Sequence, residues 1–344
     1  MHGGLVGVEL RDCDGCGRAS YAGLVTCGSI WCCPLCAEKI LAGRVNELLN
    51  AIDTHVGRGG RVVMVTLTMR HRHGQGLQGL WDSLGEGWRS ASGGNRKTRR
   101  ALADVQGWVR RVECTYGRNG WHLHVHVLLF VDGDVGQAAA VAMGDAMFDA
   151  WSGRLERDGL EAPIRDSGGL VVKLLDLTAA REDVAGYLAK GTYESAAMEM
   201  AAGLTKAGRR GNRTPFGVLA DLVEHGRGED LQVWREWERA SHRRRAMTWK
   251  QGFRAQLLAD VELTDEQLAE ETDHAGTVVA LLDGKQWGVV RDRWSAQLLE
   301  VMENSTADDA YDRLSRWLCR WGMGPPRRPP KKLAGRRPTR SCAR

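Results

Sequence analysis

Hydrophobic and polar positions alternate with a period of two in the middle of the chain. Between Trp121 and Phe130, a histidine first occupies every second position, and Leu or Val fills the positions between them. Successive side chains of a strand point to opposite faces of a sheet. The pattern therefore predicts a strand with an apolar row on one face and three histidines on the other. These histidines are His122, His124 and His126.

The preceding segment predicts a partner strand. Residues 109–116 are suited to a strand, and residues 117–120, Gly-Arg-Asn-Gly, are typical of a tight turn. A two-residue turn on the last two of these four residues would place Glu113 opposite His126. A turn on the middle two would place it opposite His124. Either register keeps Glu113 on the histidine face, because only a slip of one residue would turn it away.

Other apolar patterns predict the rest of an α+β fold. Residues 62–68 predict an apolar strand that ends in Thr-Leu-Thr, and residues 170–175 predict another strand. Helices are predicted over residues 37–53 and 135–155, and residues 215–320 look mainly helical. Antiparallel strands with intervening helices favour an α+β domain in which helices cover one face of the sheet.

Two imidazoles and a carboxylate on one strand face predict a metal site. Neutral imidazole is the commonest protein ligand for metals. A lone histidine on a strand is more often solvated or packed, but ordinary packing does not explain three on one face. With open coordination positions, His124, His126 and Glu113 suit Mg²⁺ or Mn²⁺ acting on a phosphate. His122 would substitute for one of them or orient it.

Three motifs resemble those of the rolling-circle replication initiators of bacterial plasmids, which belong to the HUH endonucleases. They occur along the chain in the order expected of that family. Residues 124–126, His-Val-His, resemble the His-hydrophobic-His motif, and residues 62–68 resemble the first motif. Residues 183–190 are similar to the third motif, which carries a nucleophilic tyrosine followed by a lysine. The resemblance extends over roughly residues 10–255 and implies an HUH endonuclease-like sheet with flanking helices.

The resemblance also implies catalytic roles. Tyr187 would attack a DNA phosphodiester and leave a 5′-phosphotyrosine and a free 3′-hydroxyl. Lys190 lies one helical turn later on the same face and would supply positive charge to the phosphate or the phenolate. The family often has a glutamate four residues before the tyrosine. Here that position is Asp183, with Glu182 beside it, and either acid could activate water. Tyr193 is the second candidate nucleophile.

Cysteines form a second cluster of candidate metal ligands, since six of the nine lie in the first forty residues. A C-x₂-C pair followed by C-P-x-C is typical of a structural Zn²⁺ site. The expected ligands are Cys13, Cys16, Cys33 and Cys36, and the substitutes are Cys27 and Cys32. A disulfide cluster is the alternative. The chain has no export signal and no long apolar span, so we expect a reducing cytoplasmic location away from membranes.

Positive charge is unevenly distributed. The net charge of the 344 residues is only +5, but two clusters predict contacts with DNA. One is a glycine-broken loop, and the other is a predicted basic helix near tryptophans that could stack unpaired bases. The expected DNA-binding residues are Arg209, Arg210, Arg213, Arg243, Arg244 and Arg245. Solvated surface is the alternative for each cluster. Residues 260–312 are acidic, which argues against DNA along the whole C-terminal half.

These patterns together predict a metal-dependent, site-specific nickase and ligase of single-stranded DNA that initiates plasmid rolling-circle replication. The predicted segments are a zinc-binding module (1–40), a nickase domain (55–200), a basic loop (201–214), a mainly helical region (215–320) and a disordered Pro/Arg tail (325–344). Its partners would be origin DNA, single-stranded or as an extruded hairpin, and a host helicase and polymerase. The alternatives are a relaxase or transposase with the same chemistry, and a non-enzymatic zinc-dependent DNA-binding regulator.

Overall fold

A computed structural model describes most of the chain. The described residues are 5–10, 19–23, 27–175, 211–270, 277–306 and 308–330, without the side chains of residues 270, 292 and 296. The chain forms two compact units. One consists of Met1–Cys27 with Glu270–Arg344, and the other of Gly28–Ala269.

Strands are numbered in chain order within the described residues. They are β1 Val6–Leu10, β2 Ala19–Ala22, β3 Arg61–Thr68, β4 Val105–Gly117, β5 Gly120–Val131, β6 Leu170–Leu174, β7 Met247–Trp249 and β8 Thr277–Leu282.

Helices of the described residues are numbered in the same way. They are α1 Pro34–Gly57, α2 Leu77–Arg89, α3 Arg96–Ala101, α4 Gln137–Arg157, α5 Pro215–His225, α6 Gly228–Ser241, α7 Phe253–Leu257, α8 Asp265–Glu270, α9 Gly284–Arg293, α10 Ser295–Glu303 and α11 Ala310–Arg320. None of them is both long and apolar enough to span a membrane.

The larger unit is built on a five-stranded antiparallel sheet in the order β6-β3-β5-β4-β7. The long hairpin β4–β5 forms its centre, and β3 pairs with β5 along its whole length. The predicted strands, the helices over residues 37–53 and 135–155, and the α+β class are confirmed. Thr264 precedes α8 and caps it, because Thr264 and Gln267 accept hydrogen bonds from each other's backbone N–H groups.

Side chains of β5 enter two different hydrophobic clusters. Val125 and Val127 pack into the cluster that contains buried residues of α2 and α4. Leu128 and Phe130 point to the opposite face and pack with residues of α1 and α7. The expectation that helices cover only one face is therefore wrong for this half of the sheet. The histidine face begins where the second cluster ends, because His126 directly precedes Leu128 on the same face.

The two units do not follow the expected segment boundaries. In the smaller unit, β1 pairs with both β2 and β8, so an N-terminal strand shares a sheet with a segment some 270 residues later. In the larger unit, β7 pairs with β4, so part of the expected helical region completes the main sheet. Long-range strand pairing is not visible in local sequence patterns, which explains both differences.

A carboxylate fixes the turn end of the hairpin to two helices. Glu236 on α6 accepts a hydrogen bond from the Trp121 indole (2.8 Å) and another from the backbone N–H of Leu77 at the start of α2 (2.7 Å). Trp121 is 2% exposed and stacks on Trp237. Because Trp121 precedes the first histidine, these contacts hold the histidine-bearing strand in place.

Candidate functional site

The hairpin register determines the geometry of the histidine face. Gly117 pairs with Gly120, which leaves Arg118 and Asn119 as the two-residue turn. Glu113 therefore lies directly opposite His124. This is the second of the two registers that the sequence allowed. Gly120 follows the turn with φ +85°, a conformation that glycine adopts without strain.

Glu113, His124 and His126 meet at one carboxylate oxygen. Glu113 Oε2 lies 3.0 Å from His124 Nε2 and 2.9 Å from His126 Nε2. The three ligand atoms all lie within 4.8 Å of one another. The side chains are 20%, 15% and 5% exposed respectively, so the group is recessed but reachable from solvent.

The electrostatics of the site favour an ionised carboxylate. Burial raises the pKa of Glu113, but hydrogen bonds and charge from His124 and His126 lower it by more, and the resulting pKa is well below its ordinary value. Arg111 lies two residues earlier on the same face of β4 and is 1% exposed. Burial lowers its pKa to about 10 against the opposing effect of Glu113, so it is a cation at neutral pH.

A threonine on the neighbouring strand contacts His126 from the other side. Thr66 of β3 pairs with His126 across the sheet, and its hydroxyl lies 3.0 Å from His126 Nδ1. If Nδ1 carries the proton and donates to this hydroxyl, Nε2 is left as the metal-binding atom. Local sequence patterns do not single out this residue. Its position in the Thr-Leu-Thr end of the first motif was the available signal.

The imidazole of His122 contacts that of His71, a residue that local sequence patterns also do not single out. His122 Nδ1 lies 3.2 Å from His71 Nδ1, and the two rings are 4.8 Å apart. Burial, together with the charges of His124 and His71, lowers the pKa of His122 to about 4, so it is neutral at neutral pH. The group on this sheet face that could hold a metal ion contains Glu113, His124 and His126 but not His122. The available signal for His71 was its position just after the first motif.

The donor set fits a divalent cation. One carboxylate and two imidazoles with converging donor atoms leave room for water or phosphate oxygen as further ligands. Without a cation, the same three groups are held together by the hydrogen bonds described above. The chemistry of the donor set thus agrees with the expected Mg²⁺ or Mn²⁺ site.

The cysteines are described only in part. Cys13 and Cys16 lie outside the described residues. Cys33 is the N-cap of α1 and precedes Pro34, and Cys36 follows one turn later. The sulfur atoms of Cys33 and Cys36 lie within 4.8 Å of each other, so this pair could hold one side of a metal ion.

Other expected residues are also outside the described part of the chain. They are the catalytic candidates Asp183, Tyr187 and Lys190, and the basic residues Arg209 and Arg210. The disordered tail that we expected over residues 325–344 is described only as far as residue 330.

Two of the expected DNA-binding arginines have partners within the protein. Arg213 forms ion pairs with Asp221 and Asp230, both at 2.7 Å. Arg244 forms an ion pair with Asp82 at 2.7 Å and lies over the Trp81 ring, 5.1 Å from its centre. Neither guanidinium is simply a solvated positive charge.

The expected basic helix around Arg243–Arg245 is wrong. The helix α6 ends at Ser241, and the chain turns into the strand β7. The backbone of residues 247–249 pairs with β4, which the local helical pattern could not reveal. Trp237 is one of the tryptophans near that predicted helix, and it is fully buried instead of being available to stack on a base.

Comparisons with known proteins agree with these observations. A family described as "Replication protein" matches residues 22–137, which include the cysteines from Cys27 to Cys36 and the whole hairpin. "Protein rep" of Streptomyces lividans is 32% identical over 302 residues, which cover 71% of this chain and 66% of that protein. The chain is therefore similar to plasmid replication proteins. The carboxylate and both histidines of the candidate metal site fall within the matched replication protein segment.

A second relative is more distant. "Neomycin resistance protein" of Streptomyces cyanogenus is 26% identical over 228 residues, or 56% of this chain and 51% of that protein. The chain thus spans less than two thirds of either relative. No solved structure matches it.

Proposed function

We propose that this protein initiates rolling-circle replication of a plasmid by nicking and rejoining single-stranded origin DNA through a 5′-phosphotyrosine. The single observation that carries the proposal is the convergence of Glu113, His124 and His126 inside a replication protein segment. Its partners would be the origin, as a single strand or extruded hairpin, and a host helicase and polymerase.

In the proposed reaction, the phenolate oxygen of Tyr187 forms a bond to phosphorus while the bond from phosphorus to the 3′-oxygen breaks. The 3′-oxygen leaves and takes up a proton to become a hydroxyl. Reversal by a 3′-hydroxyl rejoins the strand, because the phosphotyrosine bond conserves the energy of the phosphodiester. Lys190 would stabilise negative charge, and Asp183 or Glu182 would activate water if hydrolysis ends the cycle.

Glu113, His124 and His126 would hold Mg²⁺ or Mn²⁺, with Thr66 orienting His126. Such a cation would polarise the phosphate and neutralise charge that develops on its oxygens. Tyrosine has an ordinary pKa of about 10 and is a weak nucleophile at neutral pH. This chemistry therefore needs positive charge close to the phosphate.

The decisive test is a labelled single strand of the plasmid origin, incubated with the full protein and Mn²⁺ or EDTA and resolved on a denaturing protein gel. We expect a Mn²⁺-dependent covalent adduct that is absent in Tyr187→Phe, while Tyr187→Phe still binds the strand. Tyr193→Phe is the matched control and should retain the adduct. An origin strand that is never linked to the wild-type protein would overturn the proposal in favour of a non-enzymatic regulator.

We also propose a structural zinc ion at the cysteine segment. Cys33 and Cys36 at the start of α1 have the C-x₂-C spacing of a zinc-ligand pair. Two more ligands would come from Cys13, Cys16 and Cys27. Metal analysis of purified protein should give one Zn²⁺ per chain, and Cys33→Ser should lose it. Cys319→Ser, which alters an exposed cysteine elsewhere, should not. Retention of zinc by Cys33→Ser would contradict this assignment.

A further inference from the structure

A cavity of about 690 Å³ lies within the larger unit beside the strand β7. Its lining includes Arg111, which is opposite His126 on the sheet and two residues from Glu113 on β4. The cavity and the candidate metal site are therefore neighbours along the same strand. Its size is within the about 300–1,000 Å³ that is usual for ligand sites.

The lining carries more positive than negative charge. Five basic and three acidic side chains contribute to it. Two of the basic ones are held by carboxylates: Arg44 by Glu47 and Asp265, and Arg254 by Glu47. These ion pairs hold part of the cavity wall in place. Arg245 and Lys250 are exposed at the cavity, and a negatively charged ligand would meet them first.

The loop before β7 is built to present Arg245. Arg243 has φ +58°, the one positive value among the described non-glycine residues. This conformation is strained in a residue with a Cβ, and such strain is concentrated at ligand sites. Arg244 holds the turn in place through its ion pair with Asp82, and its carbonyl accepts a hydrogen bond from the Trp31 indole at 2.6 Å.

An aromatic side chain completes the lining. Trp249 is half-buried, lines the cavity and stacks on Phe130 with 6.5 Å between ring centres. Exposed cations beside an aromatic ring are the usual means of binding an unpaired nucleotide, because phosphate meets charge and the base stacks. The acidic residues Glu262 and Glu266 could accept hydrogen bonds from exocyclic amino groups of a base.

We propose that this cavity holds one unpaired nucleotide of the DNA strand next to the bond that is cut. Its phosphate contacts Arg245 and Lys250, and its base lies against Trp249. The inference rests on the proposed function, since it assigns a binding position to the nucleotide of the DNA strand that neighbours the cut bond. It also divides the basic triplet by role: Arg245 contacts DNA, whereas Arg244 holds the loop.

The test measures binding of a fluorescein-labelled, mixed-sequence single strand to the full protein by anisotropy, in EDTA and over a range of salt concentrations. The double variant Arg245→Ser, Lys250→Ser should weaken binding and lower the slope of log affinity against log salt by about 0.7 per lost phosphate contact. Arg235→Ser, Arg239→Ser is the matched control. It removes two exposed charges from α6 outside the cavity and should leave the slope nearly unchanged.

Trp249→Leu tests the base position. It should weaken single-strand binding by roughly 5- to 150-fold without changing the salt slope, and leave duplex binding unchanged. Trp249→Phe should restore most of the affinity, and circular dichroism should show that both variants fold. Equal losses for single strand and duplex, or wild-type affinity in Trp249→Leu and the double basic variant, would overturn the inference. The failure of the nicking proposal would appear separately, as a missing adduct in wild-type protein.

Discussion

The carboxylate of Glu113 and the imidazole of His124 lie directly opposite each other on neighbouring antiparallel strands, with Oε2 and Nε2 3.0 Å apart. They are brought together by a two-residue turn between strands of twelve or more residues. This position is rigid because His124 is paired with β4 on one side and with β3 on the other. A site on rigid strands holds its ligands more accurately than one on loops.

Removal of the ligand set should remove both metal binding and cleavage. In His124→Ala, His126→Ala, we expect Mn²⁺ affinity, measured by calorimetry, to fall at least about 100-fold, with adduct formation lost in parallel. His73→Ala, which alters an exposed histidine near the site, is the control. A double variant that still cleaves with undiminished Mn²⁺ dependence would disprove the assignment.

Thr66→Val should weaken metal binding without removing a ligand. The hydroxyl that contacts His126 Nδ1 would be lost, and the imidazole would lose its fixed orientation and tautomer. Outer partners of this kind contribute about 10- to 100-fold in affinity. Thr68→Val is the matched control for Thr66→Val, because Thr68 lies on the same face of β3 and pairs with His124. Equal Mn²⁺ titrations for both variants would show that Thr66 has no such role.

His122 should make the metal-free protein less stable in mild acid. Its pKa is lowered to about 4 in the folded state, mainly by burial, and is about 6.5 when unfolded. Between these values the unfolded chain binds more protons, so the free energy of unfolding decreases as pH falls from about 6.5 to about 4. We expect a loss of about 1–3 kcal/mol, measured by urea unfolding in EDTA.

The variant His122→Gln isolates this contribution. It should have a flatter pH profile over the same interval, and His73→Ala should keep the wild-type profile. An unchanged profile in His122→Gln would mean that other groups cause the acid sensitivity.

Arg244→Ala should destabilise the protein although its position is in a basic triplet. It removes the ion pair with Asp82 and the contact with the Trp81 ring. We expect a loss of about 1–2 kcal/mol in unfolding free energy. Arg243→Ala, at an exposed neighbour, should change stability by less than about 0.5 kcal/mol. Equal stability of the two variants would assign Arg244 to the solvated surface.

The histidine strand shows how far a local pattern extends. A period of two placed the three imidazoles on one face, and the Gly-Arg-Asn-Gly turn limited Glu113 to two registers on that face. Both results follow from strand geometry alone. The choice between the registers depended on pairing along the whole hairpin, which no local pattern contains.

Partners from distant parts of the chain were not predictable. Thr66 reaches His126 because β3 pairs with β5, and His71 reaches His122 through the loop that follows β3. Local helical periodicity also failed at residues 243–249, because α6 ends at Ser241 and residues 247–249 pair with β4 as a strand. Long-range hydrogen bonding decided these positions over local propensity.

The sequence by itself determined the α+β class, the histidine face and the three residues that we propose as metal ligands on it. Each depends on residue type and spacing within a few residues. The tertiary structure alone decided the register of Glu113, the partners of His126 and His122, the structural role of Arg244 and the cavity beside β7. Each of these requires segments far apart in the chain to pack or pair, and the free energy of that packing depends on the whole fold.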